Sequence, residues 1–335
     1  MKKLLSCFVC IFISIVCVLG FSACANDKDE DAVNLVAIDA SSVGVMPDID
    51  YYVVAEPAAS AKVNALSDLN FVGDLQSLYG GENGYPQAVV VAKNSLLNTE
   101  ILNKFLDELS TTDEWLKSED NSIGSIVNSI QSHLTSGMTP SINKQNLTKS
   151  VIANCGIKFV SATESKADIK SFMEKFNSVS DSSFGMPSDE FFYDGAKGSV
   201  EISQKISVYA PDGAPALGLA KLMAEDKLNA DYHIVDPGTI QSDVGGKNPQ
   251  ADICVLPVNL AVKILGNAQN YKLIGTLTHG NLYILSKNST KIGTDNLQDL
   301  VGKTVGVVNL PQVPGLTFKV ILKNYGIDFV EPYND

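Results

Sequence analysis

Two apolar periodicities alternate along this chain. Short, nearly unbroken apolar runs occur at Val33–Asp39, Tyr51–Ala55, Ala88–Ala92, Ile206–Ala210, Ile253–Leu256, Leu273–Thr276, Leu282–Ser286 and Thr304–Val308. Most lack strict in–out alternation, which is the pattern of strands covered on both faces. Between them, Ile101, Leu102, Phe105, Leu106 and Leu109 mark one helix face, and Ile169, Phe172, Met173 and Phe176 mark another. Strands alternating with helices predict an α/β architecture with largely parallel sheets. The stretch Gly195–Lys205 has no apolar period and reads as a linker.

A strand followed by a proline-bearing turn and a helix start recurs four times. Ile206–Ala210 runs into Pro211-Asp-Gly-Ala-Pro-Ala216, with helix expected over Leu217–Leu228. Asp252–Leu256 runs into Pro257-Val-Asn-Leu260, and Thr304–Val308 into Asn309-Leu-Pro-Gln-Val-Pro-Gly315. Tyr51–Ala55 runs into Glu56-Pro-Ala-Ala-Ser60. Proline is tolerated in the first helical turn because its missing N–H has no partner there. Each such turn presents backbone donors and the positive end of a helix at the carboxyl end of a strand, where open α/β sheets hold ligands. Plain helix capping is the competing reading.

Charge and cysteine placement add a compartment. Lys2 and Lys3 precede an apolar run over Leu4–Leu19, too short for a comfortable membrane span and laid out like a secretory signal. Formal charge is −13, and removing residues 1–23 makes it −15. That argues against nucleic-acid binding, which needs a basic footprint. All 25 basic residues are lysine, so an anionic ligand would have to rely on lysine, hydroxyls, amides or backbone N–H groups. Cys7, Cys10 and Cys17 leave with the signal. Cys155 and Cys254 remain among apolar neighbours, and the sequence leaves their pairing open.

Catalytic patterns fail on inspection. Gly302-Lys303-Thr304 lacks the earlier glycine of a phosphate loop, because Leu297 stands there. Ser141-Ile-Asn-Lys144 stands without companion motifs. His133, His233 and His279 are scattered and unsupported by metal-type ligands. No enzyme activity, metal or cofactor is expected.

Two resemblances follow from the residues quoted. Phe21-Ser-Ala-Cys24 resembles the lipobox of bacterial lipoproteins, with Phe21 where leucine is usual; it implies lipidation of Cys24 and a tether over 24–32. An ordinary signal cut near Ala23 or Ala25 is the alternative. The pieces Ala214–Met223, Ala251–Asn259, Leu297-Gln-Asp-Leu-Val-Gly-Lys-Thr-Val-Gly306 and Phe318–Gly326 resemble the first half of solute-binding proteins of the nitrate, sulfonate and taurine importer group. Asp50–Pro57 and Tyr85–Ala92, with a helical tail closing at Phe191–Tyr193, resemble the second half. The implied fold is the two-lobed type II periplasmic-binding fold with a hinge. Its halves stand in circularly permuted order, and 195–205 joins the usual termini. One lobe is expected over 94–286 and the other over 30–88 plus 289–335, with crossings near Val89–Lys93 and Leu285–Ser289.

The resemblance implies a monomeric, membrane-anchored protein outside the cytoplasmic membrane. It would capture a small polar or anionic solute for an ABC permease and ATPase. Gly213, Ala214 and Asn259 from one lobe would meet Gln312, Val313 and Glu56 from the other, with Thr278 and His279 at a strand end facing the cleft. The amides of Gly213, Ala214 and Val313 would donate to the solute, and Asn259 and Gln312 would orient it. Glu56 would either line the cleft or cap its own helix. A sensory or scaffold lipoprotein, or an enzyme resembling thiamine-pyrimidine synthases, are the alternatives.

Overall fold

A computed structural model describes residues 28–80, 84–180, 183–267 and 270–332. The expected signal segment and Cys24 lie outside the described residues. The first part of the chain forms β1 (Val33–Ile38), β2 (Tyr51–Ala55), α1 (Ala58–Ala65), β3 (Asn70–Asp74) and α2 (Leu75–Tyr79). Next come β4 (Pro86–Lys93), α3 (Glu100–Leu109), α4 (Thr112–Lys117), α5 (Ile123–Gln131), α6 (Lys149–Asn154), β5 (Ile157–Ser161) and α7 (Ala162–Asn177). A third run holds β6 (Ile206–Pro211), α8 (Ala214–Gly218), α9 (Ala220–Glu225), β7 (Ala230–Val235), α10 (Pro237–Val244), β8 (Ile253–Pro257) and α11 (Val258–Leu265). The chain closes with β9 (Tyr271–His279), β10 (Leu282–Ser286), β11 (Thr304–Val308), α12 (Val313–Asn324) and β12 (Phe329–Val330).

The fold is α/β, with two mixed sheets of six strands. The first sheet runs β12-β1-β11-β2-β10-β3, with β12, β1, β11 and β2 parallel and β10 antiparallel to both neighbours. The second runs β5-β9-β4-β8-β6-β7; β8, β6 and β7 are parallel, and β4 is antiparallel to β8 and β9. The apolar runs read from sequence are the central strands: Val53, Val90, Val255 and Val305 are completely buried. Helix α7 begins with a reciprocal cap between Ser161 and Glu164, and its Ile169, Phe172, Met173 and Phe176 all point into the core.

Sheet membership moves the expected lobe boundaries. β10 bonds to β2 and β3, so residues 282–286 belong with the first sheet and not with 94–286. β4 lies between β8 and β9, so 86–93 belongs entirely to the second. The chain therefore crosses between β3 and β4 and again at Gly280–Asn281, where φ is 71° and 93°. Positive φ at two consecutive positions turns the chain sharply enough to leave one sheet and enter the other. Beside these crossings Tyr79, Tyr85 and Phe172 pack ring to ring with centroids 5.3–5.6 Å apart, and Phe176 lies 4.1 Å from Phe172. One continuous hydrophobic core spans both sheets.

The described ends lie side by side. β12 pairs with β1, and the Val33 N–H donates to the Asp328 carbonyl at 2.9 Å. Cys155 and Cys254 are free thiols, both fully buried.

The expected linker is docked rather than loose. Val200 exchanges backbone hydrogen bonds with Asn98 and Glu100, and the Asn103 side chain bonds both the N–H and the C=O of Gly198. A Cβ at Gly198 would sit 2.1 Å from the Asn98 carbonyl carbon and 2.3 Å from the Thr99 nitrogen. Backbone cannot rotate away as a side chain would. Gly198→Ala is therefore expected to lower unfolding free energy by about 2 kcal/mol in urea denaturation; a change below a few tenths would mean the linker does not pack as described.

Candidate functional site

The four proline-bearing turns face one another in pairs across the boundary between the sheets. β2 and β11 are adjacent parallel strands of the first sheet, and β6 and β8 are adjacent parallel strands of the second. Their carboxyl ends deliver Glu56, Gln312, Gly213 and Asn259 respectively. Asn259 Nδ2 donates to Gln312 Oε1 at 3.0 Å, joining the β8–α11 turn to the β11–α12 turn. Gly213 adopts φ 100°, and a Cβ there would lie 3.9 Å from Pro57 Cδ, joining the β6–α8 turn to the β2–α1 turn. Asn259 has no exposed surface, yet its Oδ1 accepts no hydrogen bond.

Six helix starts lack a hydrogen bond from the N-cap side chain: α1, α8, α11 and α12 at this boundary, and α4 and α9 elsewhere. Asp74, Thr99, Ser122, Thr148, Ser161 and Asp236 cap α2, α3, α5, α6, α7 and α10 with their side chains. No side chain of the N-cap residue caps α8, α11 or α12, and α8 and α12 carry proline in the first turn. The first N–H groups of a helix have no intrahelical acceptor, which applies to those of Ala214 and Val313. Both residues are buried. The Gly213 N–H, expected to face a solute, instead donates to Asp212 Oδ1 at 2.8 Å, while Asp212 Oδ2 accepts from the Ser141 N–H at 2.5 Å.

Glu56 caps its own helix and also bonds across the boundary. Its carboxylate accepts from the Ser60 N–H at 2.9 Å and the Ser60 hydroxyl at 2.6 Å, closing the first turn of α1. It also accepts from Asn154 Nδ2 of the opposite lobe at 3.3 Å. Asn281, at the crossing, brackets the same residue: its carbonyl takes the Glu56 N–H at 2.9 Å and its Nδ2 donates to the Glu56 carbonyl at 3.4 Å. Asn281 Oδ1 is buried without a partner. The Tyr283 hydroxyl donates to the Asn154 carbonyl at 3.3 Å. Burial pushes the Cys155 thiol and the Tyr283 phenol well up, and the Glu56 charge adds to both, after Asp74 in the case of Tyr283.

Thr278 and His279 serve other ends. The Thr278 hydroxyl takes the Ala88 N–H at 3.1 Å, replacing a ladder bond at an irregularity between β4 and β9. His279 lines a groove of about 570 Å³ with Gln76, Asp113, Lys117, Gly156 and Lys158, a set without any of the four turns. Its Nδ1 is buried and unpartnered. Burial, with the Lys158 charge adding, pulls the imidazole down to about 4.

Asn154, Asn281, Ser141 and Ser60 were not among the expected site residues. Ser60 had a signal, since Glu56-Pro-Ala-Ala-Ser60 spaces a carboxylate and a hydroxyl one helical turn apart. Among the described residues no three His, Cys, Asp or Glu side chains gather as a metal site would require, and no helix is long and apolar enough to cross a membrane. Comparison with family models, with curated proteins and with solved structures returns no match.

His279 makes stability depend on pH. Its folded value lies below the ordinary 6.5, so the unfolded chain binds the extra proton between about 4 and 6.5, and stability falls as pH drops through that window. On going from pH 7 to pH 5 the wild type is expected to lose roughly 2 kcal/mol more than His279→Gln, measured by urea melts at both values. Equal losses in the two proteins would place the imidazole in water.

Proposed function

We propose that this chain is an exported solute-binding lipoprotein, anchored through Cys24, that captures a small polar solute between its two lobes and passes it to an ABC importer. The observation that carries this is the buried Asn259, which reaches across the lobe boundary to Gln312 and still holds an unsatisfied oxygen. An unpaired buried acceptor costs about 1–3 kcal/mol, which a solute donor would recover. The uncapped starts of α11 and α12 lie at the same boundary and provide backbone donors for an acceptor group of the solute. In this reading the direct Asn259–Gln312 bond is what the solute replaces, and the lobes close on it by hinge motion.

A thermal melt of the protein against sulfonates, nitrate, bicarbonate, pyrimidines, amino acids and polyamines tests the reading. A ligand at 100 times its Kd is expected to add ~2.7 kcal/mol. Asn259→Ala and Gln312→Ala should each weaken that ligand at least about tenfold, since both remove an orienting contact. A saturable shift unaffected by either substitution would move the site elsewhere, and no shift with any class would oppose a binding role.

We further propose that the halves stand in permuted order relative to the importer group. The neighbouring ends of β1 and β12 support this. Joining residue 335 to residue 28 through a short glycine linker and opening the chain within 195–205 should then give a cooperatively folded protein with solute affinity intact. Failure of the rearranged chain to melt cooperatively would count against the permuted order.

A further inference from the structure

We propose that the solute taken up between the lobes carries a cationic nitrogen, an ammonium or amidinium group, that sits against Glu56 and the free oxygen of Asn281. This rests on the reading of the lobe boundary as a solute site and names the chemistry it selects. Glu56 is 2 % exposed, so its carboxylate has left water. Its three hydrogen-bond partners are the Ser60 N–H, the Ser60 hydroxyl and the Asn154 amide, all neutral. A carboxylate offers about four acceptor positions, and a buried charge without a counter-charge is costly.

The surroundings offer acceptors rather than cations. Asn281, 3 % exposed, is bonded to the Glu56 backbone and its Oδ1 has no donor, and Asn259 Oδ1 is in the same condition on the β8–α11 turn. Asp212 places a second carboxylate on the β6–α8 turn, whose Gly213 approaches Pro57. The chain has no arginine to supply the missing charge. β2 and β11 are neighbours, so the α12 start lies next to the Glu56 turn. A bare oxyanion docked there would stand beside an uncompensated carboxylate, which disfavours it. A solute with a cationic nitrogen and an acceptor elsewhere satisfies both ends.

Isothermal titration with matched pairs separates the alternatives: benzamidinium against benzoate, and butylammonium against butanesulfonate. At least one cation is expected to bind saturably while its anionic partner does not. Glu56→Gln should weaken that cation about tenfold or more, the usual scale for loss of a charge-assisted pair. Ser60→Ala also loosens the α1 cap but keeps the charge, so it should leave the preference for cations in place. Binding of an anion in preference to its cation, or equal losses in Glu56→Gln and Ser60→Ala, overturns the charge assignment and leaves the solute-binding reading standing. Binding of neither member of either pair also overturns it, and the broader panel then judges the binding role separately.

Discussion

Backbone groups at the carboxyl ends of buried parallel strands must find partners, and the organisation of this molecule follows from how they do. A parallel strand covered on both faces ends where a helix must begin, and the first N–H groups of that helix have no acceptor of their own. Half of the described α-helices supply one from the N-cap residue, as where Asp74, Thr148 and Asp236 each turn a side-chain oxygen back onto the helix they precede. Four helices at the lobe boundary do not, and two of those have proline in the first turn. Proline removes one orphan donor without satisfying the others. The boundary is thus polar because the strands behind it are not.

That polarity lies against an apolar continuity. The aromatic rings of Tyr79, Tyr85, Phe172 and Phe176 tie the two sheets together beside the crossings, and α12 is buried from Val313 to Leu322 apart from Pro314. By contrast, the turns facing each other meet through amide and carboxylate hydrogen bonds: Asn259 with Gln312, and Asn154 with Glu56. Water or a solute can replace such bonds at small net cost, whereas exposing the aromatic cluster would forfeit its burial free energy. Any relative motion of the lobes therefore has a rigid side and an exchangeable side, set by residue type.

Central strands were legible in the sequence because both faces are covered and the apolar runs are unbroken. β3, β5 and β7 were missed for the complementary reason. They lie at sheet edges, and Asn70-Phe-Val-Gly-Asp74 or Ala230-Asp-Tyr-His-Ile-Val235 interrupts the apolar signal with polar residues that an edge tolerates. The four turns were legible from their prolines and glycines, but their partners were not. Asn154 lies 98 positions from Glu56, and nothing in Val151-Ile-Ala-Asn154 marks an amide that will cross between lobes. Gly213 illustrates a subtler failure: its amide was expected to donate to a solute, whereas its use by the adjacent Asp212 depends on a rotamer. The lobe boundaries slipped because an apolar run such as Leu282–Ser286 does not say which sheet it will join.

The placement of lysine closes the argument about charge. In a chain without arginine, lysine has to satisfy carbonyls and carboxylates throughout the scaffold. Lys149 donates to the carbonyls of Leu116, Ser118 and Asn121 at 2.6–3.1 Å, closing the end of α4. Lys93 pairs with Asp252 across β4 and β8, at the same carboxylate that accepts the Ser207 N–H. Lys319 pairs with Glu331 and leans on the Phe329 ring, holding β12 against the body of the protein. These cations stabilise helix ends, strand registers and the chain terminus, and none of them neutralises Glu56. A buried carboxylate left to hydroxyl and amide donors at a boundary between two lobes is where the fold tolerates an electrostatic deficit. A molecule bringing its own positive charge corrects that deficit more completely than any neutral group already present.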